Sequence, residues 1–587
     1  MKKIVLFLGL TVLTWSAAAA SRSIEEMRTI AAKQLHRSMS ATTARRMSAA
    51  AQSPRLLRIT DAYAVFAPAD NESFVIISRD ESRRPVLGYA ATPFPTTDMP
   101  DGLQWYLQQV ELTANSQQSS RRNAATYTAT ENFVTTTWDQ GHPFNLLTPN
   151  KYPSGCVATS IAQCMNYCQW PESAEFEGTC RVTKIVNHRE KSERQTLDIS
   201  STYTWPYKDN YSNRGRTQDN IAELLRDCGY ATYMNYSDDG SGTASYLAGI
   251  ALTHIFNYPD ACIRYRPRDY CTSQDEWAQI IYDELMAKRP VYYGASDESF
   301  GGHAFLLSGI DEDGLVYVNW GWRGTADGFF DLADLNPKQG SREMHFNNGA
   351  DIVFGFKPIA EADDKPEVLI YAYSGKPYTF RWGTATDDDE VEHHTLYCEL
   401  PYGFLNVQPA DFNGVFGLFA DDLTDGSSWV IAPELRDPEE IPSGYGYCGD
   451  EEQWADFAFY YYIDGEAGLT PGHTYRMSFG SYDPREGRWH SIMSDYGEVA
   501  YEITYTGDPA TSTVSEDYTT PPVLTGIYSV KADGNNHIDA FSAVTRVYDQ
   551  TGRLVHTAPT AHFNLWNVTT RGILIVDDGR TRRKVVR

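Results

Sequence analysis

One short segment constrains the fold of this chain more than any other, the run GCVATSIAQCMNYC that begins at Gly155. Small and apolar residues predict a helix over Val157–Tyr167, and Pro171 helps to end it. Cys156 then lies at the helix N-terminus, where the helix dipole and free backbone N–H groups lower the pKa of a thiol. Gly155 leaves room for another backbone to approach. A catalytic thiol, a metal site, a disulfide anchor and a core helix all remain open as interpretations.

The other cysteines narrow these alternatives. Cys164 and Cys168 are spaced i and i+4 on the same predicted helix, and we expect them to be small core residues. The chain has nine cysteines, an odd number, so one stays free in an exported protein. No C-x-x-C pair occurs, and no metal or other cofactor is predicted. The sequence leaves open the pairing of Cys180, Cys228, Cys262, Cys271, Cys398 and Cys448.

A second segment supplies a candidate base. His303 follows two glycines and starts an alternating strand over 304–310, and an acidic turn leads into a second strand over 315–320. The hairpin brings His303 near Asn319, two or three residues away from directly opposite, so a bulge or a diagonal contact is needed. Asn319 is expected to accept the imidazole N–H, and Trp320 to cover that hydrogen bond. The alternative is a buried His–Asn pair on a purely structural hairpin.

A third segment, TTTWDQGHPFNLLTP, contains Gln140, sixteen residues before Cys156. A glutamine amide upstream of a nucleophilic cysteine is a typical side-chain donor to the oxyanion of acyl transfer. The backbone N–H of Cys156 would be the second donor. A lone glutamine is weak support, but it joins a thiol and an imidazole here.

These segments together resemble the streptopain family of secreted bacterial cysteine peptidases. The resemblance is carried by QGHPFNLLTP, GCVATSIAQCMNY, MNYSDDGSG, RPVYYGASDESFGGHAFLLSGID and VNWGWRGTADGFFDLADLNP, in the family's order. It implies a papain-like fold, endopeptidase activity and a preference for a bulky hydrophobic residue two positions before the cut. The implied catalytic residues are the nucleophile Cys156, the base His303, its orienter Asn319, the oxyanion donor Gln140 and the shield Trp320. The implied substrate-binding residues are Gly302, Trp322, Ser241 and Gly242.

One residue departs from the family pattern. Arg323 follows NWGW, where relatives usually have glycine, and it is expected to alter substrate binding beside Trp322.

Other functions predict different residues at these positions. An inactive papain-like adhesin or binding protein predicts a lost cysteine, histidine or glutamine, yet all three are present. A papain-like cell-wall amidase or a transglutaminase predicts different sequence around the cysteine and histidine. A zinc enzyme is disfavoured because no H-E-x-x-H occurs.

The N-terminal part reads as a leader followed by a pro-domain. A chain of 587 residues is too long for one hydrophobic core, so several domains are expected. Residues 1–20 have the basic start, apolar run and small-residue end of a secretory signal peptide, and no transmembrane helix is expected. Residues 21–122 are similar to the family's α+β inhibitory pro-domain, which covers the active site. The linker Thr113–Thr130 is the expected place of activating cleavage, at Arg122 for example.

The rest of the chain is predicted to be a papain-like peptidase domain over 123–360, an all-β sandwich of unknown role over 361–520, and a small β domain over 521–587. The overall fold class is therefore α+β. The segments RVYDQTGRLV, LWNVTTRGILIVDDG and KVVR of the last unit are similar to the C-terminal sorting domain of the type IX secretion system. The alternative for that unit is an ordinary β-sandwich, such as a carbohydrate-binding module.

The charge restricts the partners. A formal net charge of −27 disfavours nucleic-acid and anionic-membrane binding, both of which need a basic surface. The expected partners are protein or peptide substrates, the chain's own pro-domain and the type IX secretion machinery. The expected location is outside the cell or attached to the outer membrane or cell surface, after passage through the periplasm.

Overall fold

The computed structural model describes most of the first 362 residues and a series of strands beyond them. The described ranges are 21–38, 53–113, 127–186, 189–207, 217–268, 271, 274–297, 301–331, 350–362, 364, 370–372, 379–387, 390–399, 404–431, 439–444, 446–447, 458–463, 467–483, 488–491, 493–494, 497–498, 500–515, 545–549, 554–558, 573–577 and 582–586. The predicted signal peptide, the predicted cleavage position Arg122 and Cys448 lie outside these ranges.

The N-terminal unit is a helix packed on an antiparallel sheet. A capping box starts the helix: the Ser23 hydroxyl accepts the Glu26 N–H at 3.3 Å, and the Glu26 carboxylate accepts the Ser23 N–H at 2.7 Å. Met27 and Ala31 bury the apolar face of this helix against the sheet. The elements are α1 (Ile24–Ser38), β1 (Arg55–Ile59), β2 (Tyr63–Ala67), β3 (Phe74–Ser78), β4 (Val86–Ala90) and α2 (Asp101–Thr113).

The central unit mixes helices and strands and confirms the predicted α+β class. The predicted helix is present as α3, one residue longer at each end than the sequence pattern indicated. The predicted hairpin that starts near His303 is also present. The elements are α3 (Cys156–Cys168), β5 (Ser173–Val186), β6 (Arg189–Thr202), α4 (Thr217–Ala231), β7 (Asn235–Tyr236), α5 (Tyr246–His254), β8 (Arg264–Pro267), α6 (Gln274–Met286), β9 (Val291–Asp297), β10 (Gly301–Ile310), β11 (Val316–Asn319), β12 (Gly328–Phe330) and β13 (Ala350–Phe354).

One ten-stranded antiparallel sheet runs through both units. Its strand order is β1-β2-β3-β4-β12-β11-β10-β9-β13-β8, so the N-terminal sheet joins the central sheet where β4 pairs with β12. The junction is close: Tyr89 stacks on Phe329 with ring centroids 5.4 Å apart. The residues of the central unit bury two apolar clusters, one containing α3 and the other containing α2 of the N-terminal unit.

The register of the β10–β11 hairpin decides which side chains meet. Leu306 lies opposite Asn319 and Leu307 opposite Val318. On its other side β10 pairs regularly with β9, and His303 lies opposite Ala295. Extending the hairpin register leaves His303 three residues away from the position opposite Asn319. This confirms the predicted offset of two or three residues, at its larger value.

The remaining described elements are strands in several sheets, as predicted for the C-terminal part. The first group is β14 (Ile370–Ala372), β15 (Thr379–Thr386), β16 (Glu392–Glu399), β17 (Phe404–Asn406), β18 (Phe412–Asp422), β19 (Ser428–Ile431), β20 (Glu439–Ile441), β21 (Gly446–Tyr447), β22 (Ala458–Tyr462), β23 (His473–Asp483), β24 (Arg488–Ser491), β25 (Met493–Ser494), β26 (Gly497–Glu498), β27 (Tyr501–Tyr505) and β28 (Thr513–Val514). The last four form one antiparallel sheet in the order β30-β29-β31-β32, with β29 (Thr545–Asp549), β30 (Leu554–Ala558), β31 (Ile573–Asp577) and β32 (Arg582–Val586).

A loop between β17 and β18 docks on the central unit at the edge strand β8. The Gln408 side chain hydrogen-bonds both backbone groups of Tyr265, accepting its N–H at 3.1 Å and donating to its carbonyl. Val407 is buried in the same cluster as α3. The amide pairs part of an otherwise open sheet edge, which suppresses edge-to-edge association. Among the described residues, no helix has the length and apolar character that crossing a bilayer requires.

Candidate active site

The thiol of Cys156 lies at an uncapped helix N-terminus. Gly155 is the N-cap of α3, with φ +90°, and no side chain caps the helix there. Such a φ favours glycine, and a side chain at this position would also collide with Met234, whose Sδ lies 2.6 Å from the site of a Cβ. The Cys156 backbone N–H therefore belongs to the first turn, whose N–H groups have no partner within the helix.

Cys156 and His303 interact, and each shifts the pKa of the other. Burial by itself raises the pKa of the Cys156 thiol, but the His303 hydrogen bond and charge, with backbone groups of Ala304 and Val157, bring the pKa below its ordinary value. Burial likewise lowers the pKa of His303, and the thiolate and the nearby Asp101 carboxylate more than compensate, so the net pKa is raised. The two shifts favour a thiolate–imidazolium pair, the reactive form of a cysteine nucleophile.

Most of the other described thiols are buried. Burial raises the pKa of Cys164 well above its usual range and that of Cys168 to about 12. Cys164 is fully buried in the core cluster around α3, which agrees with the prediction that it packs the helix. None of the eight cysteines in the described ranges forms a disulfide. Cys156 is thus the thiol whose surroundings favour the nucleophilic form.

The prediction that Asn319 accepts the His303 imidazole N–H is wrong, because the structure has no such hydrogen bond. The Asn319 amide donates to the Thr136 carbonyl at 2.7 Å and to Gln163 at 3.2 Å, and its oxygen accepts the Gly321 N–H at 2.9 Å. His303 Nε2 instead lies 3.4 Å from the carbonyl oxygen of Trp320. The reason is parity: side chains alternate along a strand, so a residue three positions from Leu306 faces the side of the sheet opposite to Asn319.

Asn319 therefore has a structural role in this arrangement, and replacement by alanine tests it. We expect Asn319→Ala to lower the free energy of unfolding by about 1–3 kcal/mol, because it leaves buried polar groups without their hydrogen-bond partner. The pH dependence of thiol labelling should stay that of the wild type, since the His303 contacts are untouched. Chemical denaturation and labelling rates measure both quantities. A shifted labelling profile at unchanged stability would instead favour Asn319 as the orienter.

The side chains of Trp320 and His303 both face the N-terminal unit at Gly102. The Trp320 indole is fully buried, packs on Phe305 with centroids 4.9 Å apart, and donates to the Ala326 carbonyl at 3.0 Å. Gly102, at the start of α2, lies directly against both rings: a Cβ there would be 2.5 Å from Trp320 Cε3 and 2.7 Å from His303 Cδ2. The hydrogen bond that Trp320 was predicted to cover is absent, and its indole and the His303 imidazole both lie against Gly102.

Gln140 lies on a loop tied to the segment that leads into Cys156. Its carbonyl accepts the N–H of Ser154 at 2.9 Å, two residues before the thiol. Within the described part of the chain, the Gln140 side-chain amide makes no hydrogen bond, and it is half-buried. Because its backbone is fixed by a hydrogen bond and its side-chain amide is free to donate, Gln140 is compatible with the role of oxyanion donor.

The four predicted substrate-binding residues have different surroundings. The Ser241 carbonyl is 3.2 Å from the site of a Cβ on Gly155, and its buried hydroxyl has no partner among the described residues. Gly242 is open on its Cα side, while its backbone pairs with Asn235. Gly302 is exposed next to His303, and Trp322 is half-buried with an unpaired indole N–H.

Three positions that matter here were not predicted from the sequence. Gln163 is fully buried, and its oxygen accepts from the Thr136 hydroxyl at 2.8 Å as well as from Asn319. It lies seven residues after Cys156, on the same helix face, so a lone polar residue at that spacing was the available signal. The buried Asp327 accepts the Trp320 N–H at 2.9 Å, and burial raises its pKa to about 7. Gly102 had no local signal.

One group in the described part of the chain has metal-ligand chemistry, far along the sequence from the thiol. Ligand atoms of Asp422, Asp425 and His473 lie within 4.8 Å of one another. His473 Nδ1 is 2.6 Å from Asp422 Oδ2, and Asp422 Oδ1 accepts the N–H groups of Thr424 and Asp425. These hydrogen bonds explain the cluster as a turn connection between β18 and β23.

A nucleophilic thiol at a helix N-terminus, with its imidazole on the neighbouring strand, places the central unit in the class of papain-like cysteine peptidases. Residues 138–330 match the model of the Peptidase C10 family, and residues 19–114 match that of the Spi protease inhibitor. The chain therefore contains a Peptidase C10 domain, preceded by a Spi-type pro-domain.

Named relatives match about half of the chain. The thiol protease/hemagglutinin PrtT of Porphyromonas gingivalis is 29% identical over 327 residues, 50% of this chain and 37% of PrtT. Streptopain of Streptococcus pyogenes is 29% identical over 316 residues, 49% of this chain and 78% of streptopain. A solved fragment of Prevotella intermedia prointerpain A is 29% identical, with a TM-score of 0.45, covering 52% of this chain and 98% of the fragment. The chain thus spans little more than a third of PrtT.

Proposed function

We propose that this protein is the zymogen of a secreted cysteine endopeptidase. The observation that carries the proposal is the interaction between Cys156, at the start of α3, and His303, on β10, which lowers the pKa of the thiol and raises that of the imidazole. A thiolate and an imidazolium in contact are what nucleophilic attack on an amide requires.

The proposed mechanism uses the groups in their observed places. The Cys156 thiolate attacks the scissile carbonyl carbon, and the resulting oxyanion accepts from the Cys156 N–H and the Gln140 amide. His303 donates its proton to the leaving amine, which gives an acyl-enzyme. His303 then takes a proton from water, and the hydroxide releases the carboxylic acid and restores the thiol pair. The Trp320 carbonyl accepts from the imidazole and orients it during these transfers.

The N-terminal unit is proposed to hold the enzyme inactive. The helix α2 places Gly102 against His303 and Trp320, where a substrate chain would have to pass. Polar contacts hold the unit there: Tyr89 donates to Asp311 at 3.1 Å, Arg37 pairs with Asp313 at 2.9 Å, and Arg84 pairs with Asp331 at 3.2 Å. Cleavage in the linker after α2, for example at Arg122, would free the unit to leave.

The proposed function includes a substrate preference and a secretion route. The segment with Ser241 and Gly242 beside Gly155, together with Gly302 and Trp322, supports substrate binding with a hydrophobic residue two positions before the cut. Residues 521–587 are proposed as a type IX sorting domain that directs the protein outside the cell or to its surface. The inactive adhesin is disfavoured because Cys156 and His303 are both present and each shifts the pKa of the other. The amidase would act on cell-wall peptides, and it predicts different sequence around the cysteine and histidine.

Inhibition and labelling test the proposed activity. After processing at the linker, the chain should hydrolyse casein, and one equivalent of E-64 should abolish the activity. Peptide mapping should then find the label on Cys156 and not on the buried thiols. Hydrolysis of isolated cell-wall peptides without hydrolysis of casein would favour the amidase. Casein hydrolysis that continues in the presence of excess E-64 would contradict a cysteine mechanism.

The pH dependence of labelling tests the ion pair. Since His303 lowers the pKa of the Cys156 thiol, iodoacetamide should label Cys156 at pH values well below the ordinary thiol pKa. In His303→Ala, burial without the imidazole should move the midpoint upward, above that ordinary value. Both proteins are first processed by a trace of wild-type enzyme. His254→Ala, which replaces an exposed histidine whose Nε2 lies 3.2 Å from the Pro409 carbonyl oxygen, is the control and should leave the midpoint unchanged. An unshifted midpoint in His303→Ala would refute the pairing.

A further inference from the structure

Arg323 connects the segment after Trp322 to the loop that carries Gln140. Its guanidinium Nε lies 2.5 Å from Asp139 Oδ2, and its Nη2 donates to the His142 carbonyl. Its backbone N–H donates to the Trp138 carbonyl at 3.3 Å. One residue thus contacts the loop on both sides of Gln140.

The Asp139 carboxylate passes this restraint directly to Gln140. Its Oδ1 accepts the backbone N–H of Gln140 at 2.6 Å and that of Gly141 at 3.3 Å, while Oδ2 faces the guanidinium. With the Gln140 carbonyl held by Ser154, both sides of the Gln140 backbone are fixed. The guanidinium thus adds a charge-assisted contact to the second oxygen of a carboxylate whose first oxygen accepts from two consecutive N–H groups.

The backbone conformation of Arg323 is unfavourable for any residue that has a side chain. Its φ is +54°, in the left-handed region that favours glycine and costs other residues about 1 kcal/mol or more. Its side chain is 44% exposed and that of Asp139 is 20% exposed, so their pairing adds little to global stability. A glycine would relieve the backbone, and it would lose the link to the loop.

We propose that Arg323 is a positioning residue for catalysis, which holds the Gln140 amide in the oxyanion site through Asp139. This inference rests on the proposed role of Gln140 as an oxyanion donor. Loss of one oxyanion donor typically reduces kcat by about 10²- to 10³-fold, and displacement by about 1 Å has a comparable effect. A loosened loop samples the productive position for part of the time, so the reduction should be smaller than that caused by removing the amide.

Kinetics on the processed full-length chain test the proposal. We expect Arg323→Gly to lower kcat by about 10-fold with KM within about 2-fold, because the donor acts on the transition state. Arg323→Lys, which retains the charge without the planar fork, should lie between Gly and wild type. Asp139→Asn should reproduce the loss, and the double variant should be no worse than either single one. Arg289→Gly removes a similar arginine, paired with Glu284 at 2.7 Å, and should leave kcat unchanged.

A Gln140→Ala background separates positioning from other effects. Gln140→Ala alone should lower kcat by about 10²-fold, and adding Arg323→Gly should cause no further loss. An equal loss from Arg323→Gly in both backgrounds, or an unchanged kcat in Arg323→Gly alone, overturns the positioning role. If Gln140→Ala leaves kcat unchanged, the proposed oxyanion role itself fails and the inference fails with it. Arg323→Gly should also unfold at a denaturant concentration no lower than that of wild type, because glycine relieves the left-handed backbone, whereas a merely structural role predicts a lower one.

Discussion

Replacing Cys156 by alanine is expected to reduce casein hydrolysis by more than about 10⁴-fold and to stop the chain from processing itself at the linker. Removing the nucleophile of a catalytic pair leaves only the residual contribution of binding and oxyanion donors. Alanine is the best helix former and removes only the sulfur from a half-buried first-turn position, so α3 and the fold should persist. Activity is measured with labelled casein, and folding by circular dichroism and thermal unfolding.

The same helix offers a matched control. Cys164→Ala removes a sulfur two turns further along α3, where the thiol is buried and protonated. We expect it to cost stability of about 1 kcal/mol and to keep activity near that of the wild type. Casein hydrolysis that Cys156→Ala retains, at a rate that E-64 does not change, would show that another group carries the chemistry.

Enlarging Gly102 is expected to release inhibition in the uncleaved chain. A leucine at this position would overlap Trp320 and His303, whose atoms lie within 2.7 Å of the first side-chain carbon. Overpacking of a close contact costs about 1–3 kcal/mol, which corresponds to roughly a 5- to 150-fold shift toward the displaced state. A fluorescent E-64 derivative should therefore label the unprocessed Gly102→Leu chain about 10- to 100-fold faster than the unprocessed wild type. The measurement follows the full-length band at short times, before processing.

A leucine elsewhere on the same helix controls for nonspecific damage. Glu111 is exposed near the other end of α2, and Glu111→Leu should leave the labelling rate of the uncleaved chain unchanged. Equal labelling of the Gly102→Leu and wild-type chains would mean that α2 does not limit access to the thiol. Faster labelling by both variants would point to general loosening of the N-terminal unit.

Local patterns were sufficient for the elements that carry the thiol pair. The helix that starts at Cys156 follows from apolar spacing after a glycine, and the hairpin that starts at His303 follows from alternation and an acidic turn. The different fates of the three thiols on α3 were also predictable, because position along a helix sets access to its N-terminal N–H groups.

The error at Asn319 has an equally local origin. A hairpin offset of two residues would have placed Asn319 on the same face as His303, and an offset of three places it on the other. The turn sequence did not distinguish these registers. Because the strand is buried on both faces, a shift of one residue buries the same number of apolar side chains. The pairing of Leu306 with Asn319 is a property of the folded sheet.

The sequence by itself determined the chemistry that this protein has available: a free cysteine at a helix start, an imidazole on a neighbouring hairpin, and an upstream glutamine, each specified by short-range spacing. Only the tertiary structure decided what restrains that chemistry. Gly102 lies about two hundred residues before His303 in the chain, and Arg323 lies far beyond Asp139. No periodicity links such positions, because their contacts arise when the β4–β12 pairing and the packing of distant loops bring separate segments together.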